Sequence, residues 1–153
     1  MKDAKPIPQG FHTVTPYLTV SGAAGVIDFL KQVFGAAEVM RMNWPDGSVA
    51  HAEMRIGDSI LMLSDARGEC RPMPASLYVY VDDVDAAYNR ALQAGAAAIM
   101  PPADQFYGDR HGAVRDAAGN QWSIATHVED VASEEMQRRQ EEWLKTGCAG
   151  QGA

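Results

Sequence analysis

Two stretches of the chain, TPYLTVSGAAGVIDFLKQVFGAAEVM at residues 15–40 and SLYVYVDDVDAAYNRALQAGAAAIM at residues 76–100, decide the fold because they are similar to each other. Tyr17 aligns with Tyr78 at an offset of 61 residues. After a one-residue gap, the GAA triplet of the first stretch aligns with the GAA triplet of the second. A chain that repeats itself at a nearly fixed offset is predicted to fold as copies of one unit.

A third pair of segments extends this repeat. GDSILMLS at residues 57–64 aligns with GNQWSIAT at residues 119–126, at an offset of 62. Three matches in the same order predict two modules, at residues 12–66 and 74–128. The stretch DARGECRPMPA, at residues 65–75, contains glycine and prolines and is predicted to link the modules.

Each module is predicted to contain one strand, one helix and then three strands. Residues 23–35 and 84–95 carry apolar side chains at helical spacing, and each segment ends in glycine. The last strands of the second module are predicted at AAAIM and GAVRD, with the loop PPADQFYGDR between them, and at QWSIATH. A further helix is predicted over residues 132–147, with Ser133 as its N-cap and Gly147 at its end.

Strand alternation gives each predicted sheet a helix-covered face and an opposite, semi-polar face. The helix-covered positions are Ala50, Ala52, Met54, Ile56, Trp122 and Ile124. The opposite positions are Val49, His51, Glu53, Arg55, Ser123, Ala125 and His127. The predicted class is therefore α+β: tandem βαβββ modules whose curved mixed sheets surround a cleft, followed by a C-terminal helix.

The length of the chain predicts one domain, and its composition argues against some classes of binding partner. Of the 153 residues, 1–11 are predicted to be an N-terminal extension, 12–128 the domain, and 129–153 a C-terminal helix and tail. The net charge of −7 argues against binding to nucleic acid or to an anionic membrane, since both attract a basic surface. Cys70 and Cys148 are too few for a disulfide framework, and the N-terminal residues form no apolar segment, so we expect a cytoplasmic protein.

The tandem pattern, with FLKQVFGAAEV at residues 29–39 and RDAAGNQWSI at residues 115–124, resembles the vicinal oxygen chelate superfamily. This superfamily comprises glyoxalase I, bleomycin-resistance proteins and extradiol dioxygenases. The resemblance covers residues 12–128. Within it, AHAEMRIGDSILMLSD at residues 50–65 and NQWSIATHVEDVASEEMQRR at residues 120–139 are similar to the PhnB-like subgroup. One scaffold carries many chemistries, so function depends on the residues of the site.

The resemblance implies one divalent metal held at four positions, two in each module. The corresponding residues of this chain are Thr15, Leu61, Ser76 and Ser123. None of them is an ordinary ligand for zinc, iron, manganese or nickel, which bind imidazole, carboxylate or thiolate groups. We therefore expect no metal cofactor at these positions.

A displaced metal site is the alternative. His51 and Glu53 are two residues apart on one predicted strand, and His127 comes from the other module; two histidines and a carboxylate can bind a divalent metal. This set would make the protein a metal-dependent lyase, isomerase or dioxygenase like other members of the superfamily. His51 and Glu53 are also the candidates for acid–base catalysis without a metal, or they form only a hydrogen-bonded pair.

The first hypothesis is a binding function. It resembles that of the bleomycin-resistance branch: a homodimer without a metal, holding a small aromatic or hydrophobic molecule. The tyrosines would stack on the ligand, Arg110 would bind an anionic group, and Glu53 with the histidines would fix polar groups. The predicted ligand-binding residues are Tyr17, His51, Glu53, Tyr78, Tyr80, Phe106, Tyr107, Arg110, Ser123 and His127. For Asp109 and Arg110, a carboxylate-stabilised turn beside a solvated arginine is the alternative.

Overall fold

A computed structural model describes residues 4–146, and the chain divides into two compact units. The first unit contains the residues up to 76 together with 116–121, and the second contains 77–115 and the residues from 122 onward. Both units are built on the same order of strands and one helix, so the duplicated βαβββ pattern predicted from the sequence is confirmed.

The first unit is a four-stranded sheet with one helix packed on it. Its elements are β1 (Tyr17–Val20), α1 (Ala23–Phe34), β2 (Ala37–Asn43), β3 (Val49–Ile56) and β4 (Ser59–Asp65). The strands lie in the order β1-β4-β3-β2, with β1 parallel to β4 and the other neighbours antiparallel. Leu30 and Val33 of α1 and Met54 of β3 are fully buried, which places the core between the helix and one face of the sheet.

The second unit repeats this sheet and adds the C-terminal helix. Its elements are β5 (Ser76–Tyr80), α2 (Val84–Gln93), β6 (Ala97–Asp104), β7 (Asp109–Arg115), β8 (Gln121–His127) and α3 (Ser133–Lys145). The strand order is β5-β8-β7-β6. Trp122 and Ile124 of β8 are fully buried with Ala87 and Ala91 of α2, as the alternation predicted. The α+β class with a C-terminal helix is confirmed.

The helix N-termini show that the first and last strands of the two units match at an offset of 61. Asp65, at the end of β4, accepts hydrogen bonds from the backbone nitrogens of Gly22 and Ala23 at the start of α1. Thr126 of β8 accepts one from the nitrogen of Val84 at the start of α2. Asp65 and Thr126 are 61 residues apart, and both side chains cap the start of the helix in their own unit. The offset of 62 predicted for the last strands is therefore wrong by one residue. The turn between β7 and β8 is longer than the Gly57-Asp58 turn between β3 and β4. Gly57 and Gly119, which were aligned with each other, therefore do not occupy equivalent positions.

This correction changes one predicted metal-ligand position. Leu61 pairs with Met54 and is buried on the helix-covered face. Met62, which pairs with Tyr17 and Glu53, is the residue of β4 that matches Ser123. A thioether is a soft ligand and does not replace the imidazole or carboxylate that zinc, iron or manganese requires.

Two local predictions also differ from the structure. Val49 is buried instead of lying beside His51, because β3 has a bulge between these residues that returns Val49 to the core side. Ser133 is the first residue of α3, and the N-cap is Ala132, whose side chain offers no acceptor. Gly147 and Cys148 lie outside the described residues.

Strands β6 and β7 are longer than predicted. Pro101 and Pro102 continue β6 to Asp104, which is possible because β6 is an edge strand and its register shifts between Met100 and Ala103. Gly112 of β7 leaves room for this irregular stretch, since a Cβ there would be 3.0 Å from the Pro102 nitrogen. Asp109 therefore belongs to a strand and not to a loop.

Candidate functional site

The face of the second sheet opposite α2 carries a group of polar side chains centred on Asp109. Arg110, the next residue of β7, binds Asp85 of α2 and so marks the helix-covered side. Asp109 lies on the other side, toward Tyr78 and Tyr80 of β5 and His127 of β8. We call this group of four residues, Tyr78, Tyr80, Asp109 and His127, the Asp109 cluster.

The Asp109 carboxylate is buried and receives three hydrogen bonds. Its Oδ2 accepts from the hydroxyls of Tyr78 (2.8 Å) and Tyr80 (3.0 Å), and its Oδ1 accepts from Nδ1 of His127 (2.8 Å). Only 5% of the residue is exposed. Burial by itself raises the pKa of Asp109. The hydrogen bonds from His127, Tyr78 and Tyr80 lower the pKa by more than burial raises it, so the net pKa lies below its ordinary value. The group is therefore a carboxylate at neutral pH.

The two tyrosines are held as phenols with part of each ring open to solvent. Burial and the hydrogen bond to Asp109 raise the pKa of Tyr78, and the hydrogen bond to Asp109 is the main cause of the raised pKa of Tyr80. Tyr78 is 44% exposed and Tyr80 is 63% exposed. Their ring centroids are 5.3 Å apart and the rings are inclined at 56°, so the pair presents two aromatic surfaces at an angle.

His127 lies between two carboxylates. Nδ1 bonds to the buried Asp109, and Nε2 bonds to the exposed Asp130 at 2.8 Å. These hydrogen bonds, first with Asp109 and then with Asp130, raise the pKa of His127. Both ring nitrogens donate only in the imidazolium form, so this arrangement favours a positive charge on His127.

A second histidine, His111, lies beside this group. Its ring stacks on Tyr78 at 5.1 Å between centroids, and its Nδ1 is 3.4 Å from the hydroxyl of Tyr107. Burial lowers the pKa of His111. Within residues 4–146, its Nε2 is buried without a hydrogen-bond partner.

The two aromatic residues predicted in the β6–β7 loop lie near this group but have different surroundings. The Phe106 ring contacts Trp143 of α3 at 5.6 Å between centroids and meets Tyr107 edge-on at 5.4 Å. The Tyr107 hydroxyl faces His111. Phe106 therefore helps to anchor α3, whereas Tyr107 belongs to the polar side chains around Tyr78.

Two other predicted ligand-binding residues of the second unit are not in the cluster. The Arg110 guanidinium binds Asp85 at 2.7 Å and Asp104 at 3.1 Å, so its charge is already matched by two carboxylates of the same unit. The turn-and-solvated-arginine alternative was wrong for Asp109, which is a buried strand residue. Ser123 of β8 is buried, with 8% of its surface exposed.

The corresponding face of the first unit carries methionines around one polar pair. His51 and Glu53 of β3 lie 3.4 Å apart, and the ring of Tyr17 is 5.8 Å from that of His51. Met42 pairs with His51 and Met62 pairs with Glu53, so methionines flank this polar pair. The predicted hydrogen-bonded pair is present, at the long end of the hydrogen-bond range.

The residues do not fit the metal centre that the superfamily resemblance implies. Thr15, Met62, Ser76 and Ser123 provide no imidazole or carboxylate at the four ligand positions. Among the described residues, no group of three histidine, cysteine, aspartate or glutamate side chains is arranged to hold a metal ion. His127 would have to give up a carboxylate partner to coordinate one, because both of its ring nitrogens are bonded.

An open depression lies at the carboxyl ends of β5 and β8. Its volume is about 410 Å³, and its lining is formed by Tyr80, Val81, Asp82, Thr126 and His127. Tyr80 and His127 therefore border both this depression and the Asp109 cluster. A concave surface with aromatic and polar walls is an ordinary setting for a small-molecule site.

A family model places the chain among known proteins. The model described as Glyoxalase/Bleomycin resistance protein/Dioxygenase superfamily matches residues 10–124. The chain belongs to this superfamily. Its predicted membership is thereby confirmed, and the match spans both βαβββ modules of this superfamily member.

The chain is also similar to individual proteins. The chain is similar to an uncharacterised protein of Mycobacterium tuberculosis, at 37% identity over 135 residues that cover 81% of this chain and 79% of that protein. The crystal structure of TioX from Micromonospora sp. ML1 has a TM-score of 0.65 at 27% identity and covers 76% of this chain and 99% of TioX. A PhnB protein from Bacillus cereus has a TM-score of 0.63 at 20% identity and shows the same fold. The match covers 75% of this chain and 99% of the PhnB protein.

Sequence reasoning missed Asp109 and Asp130 as site residues. The sequence pattern places Asp109 in a loop, because the prolines of β6 hide the β6–β7 pairing. Had β7 been extended to residue 109, alternation with His111 would have placed Asp109 on the face of the tyrosines. Asp130 lies beyond β8 and faces His127 only through the turn of the chain there, which no periodic pattern reveals.

Proposed function

We propose that this superfamily member binds a small aromatic or hydrophobic molecule at the Asp109 cluster, without a resident metal. The arrangement of Asp109 carries this proposal. A buried carboxylate fixes two tyrosine hydroxyls and one imidazolium, while a large part of each tyrosine ring stays exposed. Holding rigid aromatic surfaces ready for contact reduces the entropy lost on binding.

A structural role alone explains this arrangement less well. A carboxylate that only stabilised the sheet would be satisfied by donors from the core, and the tyrosine rings above it would be covered. Here the donors are exposed side chains, and the depression beside Tyr80 and His127 is of a size that small organic ligands occupy.

The test is calorimetric and NMR screening of the full chain against a library of aromatic metabolites and antibiotics. A hit should shift the Tyr78, Tyr80 and His127 resonances, and Asp109→Asn should weaken its binding at least tenfold because the tyrosines lose their anchor. Glu53→Gln, which changes a carboxylate of the first unit, is the matched control. A screen without hits, or hits that ignore Asp109→Asn, would contradict the proposal.

Absence of a resident metal is part of the proposal and has its own test. Binding of the hit should be unchanged after chelator treatment, and elemental analysis of untagged protein should find less than one metal ion per chain. Stoichiometric zinc, iron, nickel or manganese that is lost in Glu53→Gln would instead support the predicted enzyme with a metal at His51, Glu53 and His127.

We further propose that the protein is a PhnB-like homodimer that acts in the cytoplasm. The subgroup assignment rests on the stretches at residues 50–65 and 120–139. Dimerisation is supported by exposed apolar side chains of the first unit, among them Tyr17, Met42 and Trp44. Light scattering should give twice the chain mass of 16.5 kDa; the chain mass itself would contradict a dimer.

None of the helices within residues 4–146 is long and apolar enough to cross a membrane.

A further inference from the structure

The hydrogen bonds of the Asp109 cluster determine what its tyrosines can offer to a ligand. Each phenol has one hydrogen, and both Tyr78 and Tyr80 donate it to Asp109. Their hydroxyl oxygens therefore have only lone pairs left for further contacts, and that of Tyr78 is also hydrogen-bonded with Tyr107. A ligand group that meets them must donate a hydrogen bond or carry positive charge.

The exposed aromatic surfaces favour the same kind of ligand. The faces of the Tyr78 and Tyr80 rings carry the negative part of the aromatic quadrupole, which attracts cations placed over them. The rings are 5.3 Å apart and inclined at 56°, so one small group can contact both. Tyr80, with 63% of its surface exposed, is the more accessible of the two.

The charges around this surface are predominantly negative. Asp82 is an exposed residue that lines the depression beside Tyr80, and Asp130 is exposed next to His127. The charge of His127 is offset by the carboxylates on its two sides. Arg110, the cation adjacent to Asp109 in sequence, binds Asp85 and Asp104 on the helix-covered side.

From these observations we infer that the ligand of the Asp109 cluster is a small organic cation: an aromatic or hydrophobic molecule that carries a protonated or quaternary amine. The inference rests on the proposed function and specifies its ligand class. The apolar part stacks on Tyr80, and the ammonium group lies over the tyrosine faces toward Asp82. Among the described residues, His127 offers an anionic ligand no free donor, because both of its ring nitrogens are bonded to carboxylates.

Three probes of nearly equal size test the charge preference on the wild-type chain: 2-phenylethylamine, 2-phenylethanol and 3-phenylpropionate. Isothermal titration should show the amine binding at least tenfold more tightly than the alcohol, and the carboxylate more weakly than either. High salt should weaken amine binding and leave alcohol binding nearly unchanged. Equal affinities for the amine and the alcohol, or preference for the carboxylate, would overturn the inference.

Two variants localise the effect. Asp82→Asn should lower the affinity for the amine severalfold without changing that for the alcohol, and Tyr80→Leu should weaken both. Asp58→Asn removes an exposed carboxylate from the first unit and should change neither. An Asp58→Asn effect as large as that of Asp82→Asn would show that only net charge matters and would overturn the inference.

The inference and the proposed function can fail separately. If neutral aromatic molecules bind at Tyr78 and Tyr80 as tightly as amines do, the cation preference is wrong and the binding function stands. If no aromatic molecule of any charge perturbs these residues, both are wrong.

Discussion

The two units of this protein have one topology and two different open faces. In the first unit, the face opposite α1 carries methionines and a His51–Glu53 pair at 3.4 Å. In the second, the face opposite α2 carries a buried carboxylate with three hydrogen-bond donors at 2.8–3.0 Å. The same backbone therefore supports a loosely paired, methionine-flanked face in one unit and a tightly hydrogen-bonded polar cluster in the other.

This difference shows that a duplicated scaffold can keep its helix-covered faces alike while its open faces diverge. The helix-covered faces of both units are apolar and buried, because each helix needs a hydrophobic surface to pack on. The open faces do not carry that requirement, so their residues can differ. If this account is right, substitutions around Asp109 should have larger effects than matched ones in the first unit.

The largest expected effect is at Gly108, which lies next to Asp109. Its φ is +98°, its carbonyl accepts hydrogen bonds from the nitrogens of Val128 and Glu129, and an added Cβ would overlap the backbone oxygen of Glu129. Gly108→Ala should lower the free energy of unfolding by roughly 3–5 kcal/mol through strain and overlap. Gly47→Ala, at φ +87° with open space around it, should cost only about 1–2 kcal/mol. Urea denaturation measures both, and equal losses would contradict the comparison.

Removal of the central carboxylate should have the next largest effect. Asp109→Ala leaves two tyrosine hydroxyls and one imidazolium without their acceptor, at a cost of about 2–4 kcal/mol in unfolding free energy. Glu53→Ala removes one long contact and should cost less than about 1 kcal/mol. If the two variants have the same denaturation midpoint, Asp109 does not organise its face more strongly than Glu53 does.

The helix N-termini allow a smaller comparison. Asp65 accepts hydrogen bonds from the backbone nitrogens of Gly22, Ala23 and Val49, whereas Thr126 accepts one from Val84. Asp65→Ala should cost about 2 kcal/mol and Thr126→Ala about 1 kcal/mol. Circular dichroism during denaturation gives both values. A larger loss for Thr126→Ala would mean that the two caps are not equivalent in the way the offset of 61 implies.

The smallest expected effect is the separation of two histidine titrations in the second unit. Hydrogen bonds with Asp109 and Asp130 raise the pKa of His127 above its ordinary value of 6.5, and burial lowers that of His111 below it. The contribution of His127 to stability is therefore complete below its unfolded-state pKa and is lost as the pH rises through its folded-state pKa. That of His111 is present above its unfolded-state pKa and is lost as the pH falls through its folded-state pKa.

An NMR titration of the imidazole resonances checks this order. His127 should lose its proton at a higher pH than His111. Asp130→Asn should bring the His127 titration closer to 6.5 without moving that of His111. Titration of both histidines at one pH would show that the hydrogen bonds of His127 do not persist in solution.

The fold could be predicted because it depends on buried, periodic residues. Apolar residues at helical spacing gave α1 and α2, and alternation correctly buried Trp122 and Ile124. The predicted alignment of the two modules is wrong by one residue at Leu61. It matched Gly57 with Gly119, although the turns that contain these glycines differ in length. Helix-capping residues such as Asp65 would have been a better anchor, since they are fixed to the helix they cap.

The site was predicted only in part, because it depends on contacts between residues far apart in the chain. Tyr78, Tyr80 and His127 were found from alternation. Asp109, which joins them, was hidden by the irregular edge strand that contains Pro101 and Pro102. The length of β6 and its irregular register depend on Gly112, whose missing side chain leaves space for Pro102. Such a contact belongs to the packed sheet and cannot be seen in the composition.

The most direct test of the account is the dissociation constant of one aromatic ligand, 2-phenylethylamine, measured by calorimetry for the wild-type chain, Asp109→Asn and Glu53→Gln. Circular dichroism first verifies that both variants are folded. We predict at least a tenfold weaker affinity for Asp109→Asn and an unchanged affinity for Glu53→Gln. Unchanged binding by folded Asp109→Asn, or loss of binding in Glu53→Gln alone, would contradict the claim that the Asp109 cluster is the ligand site.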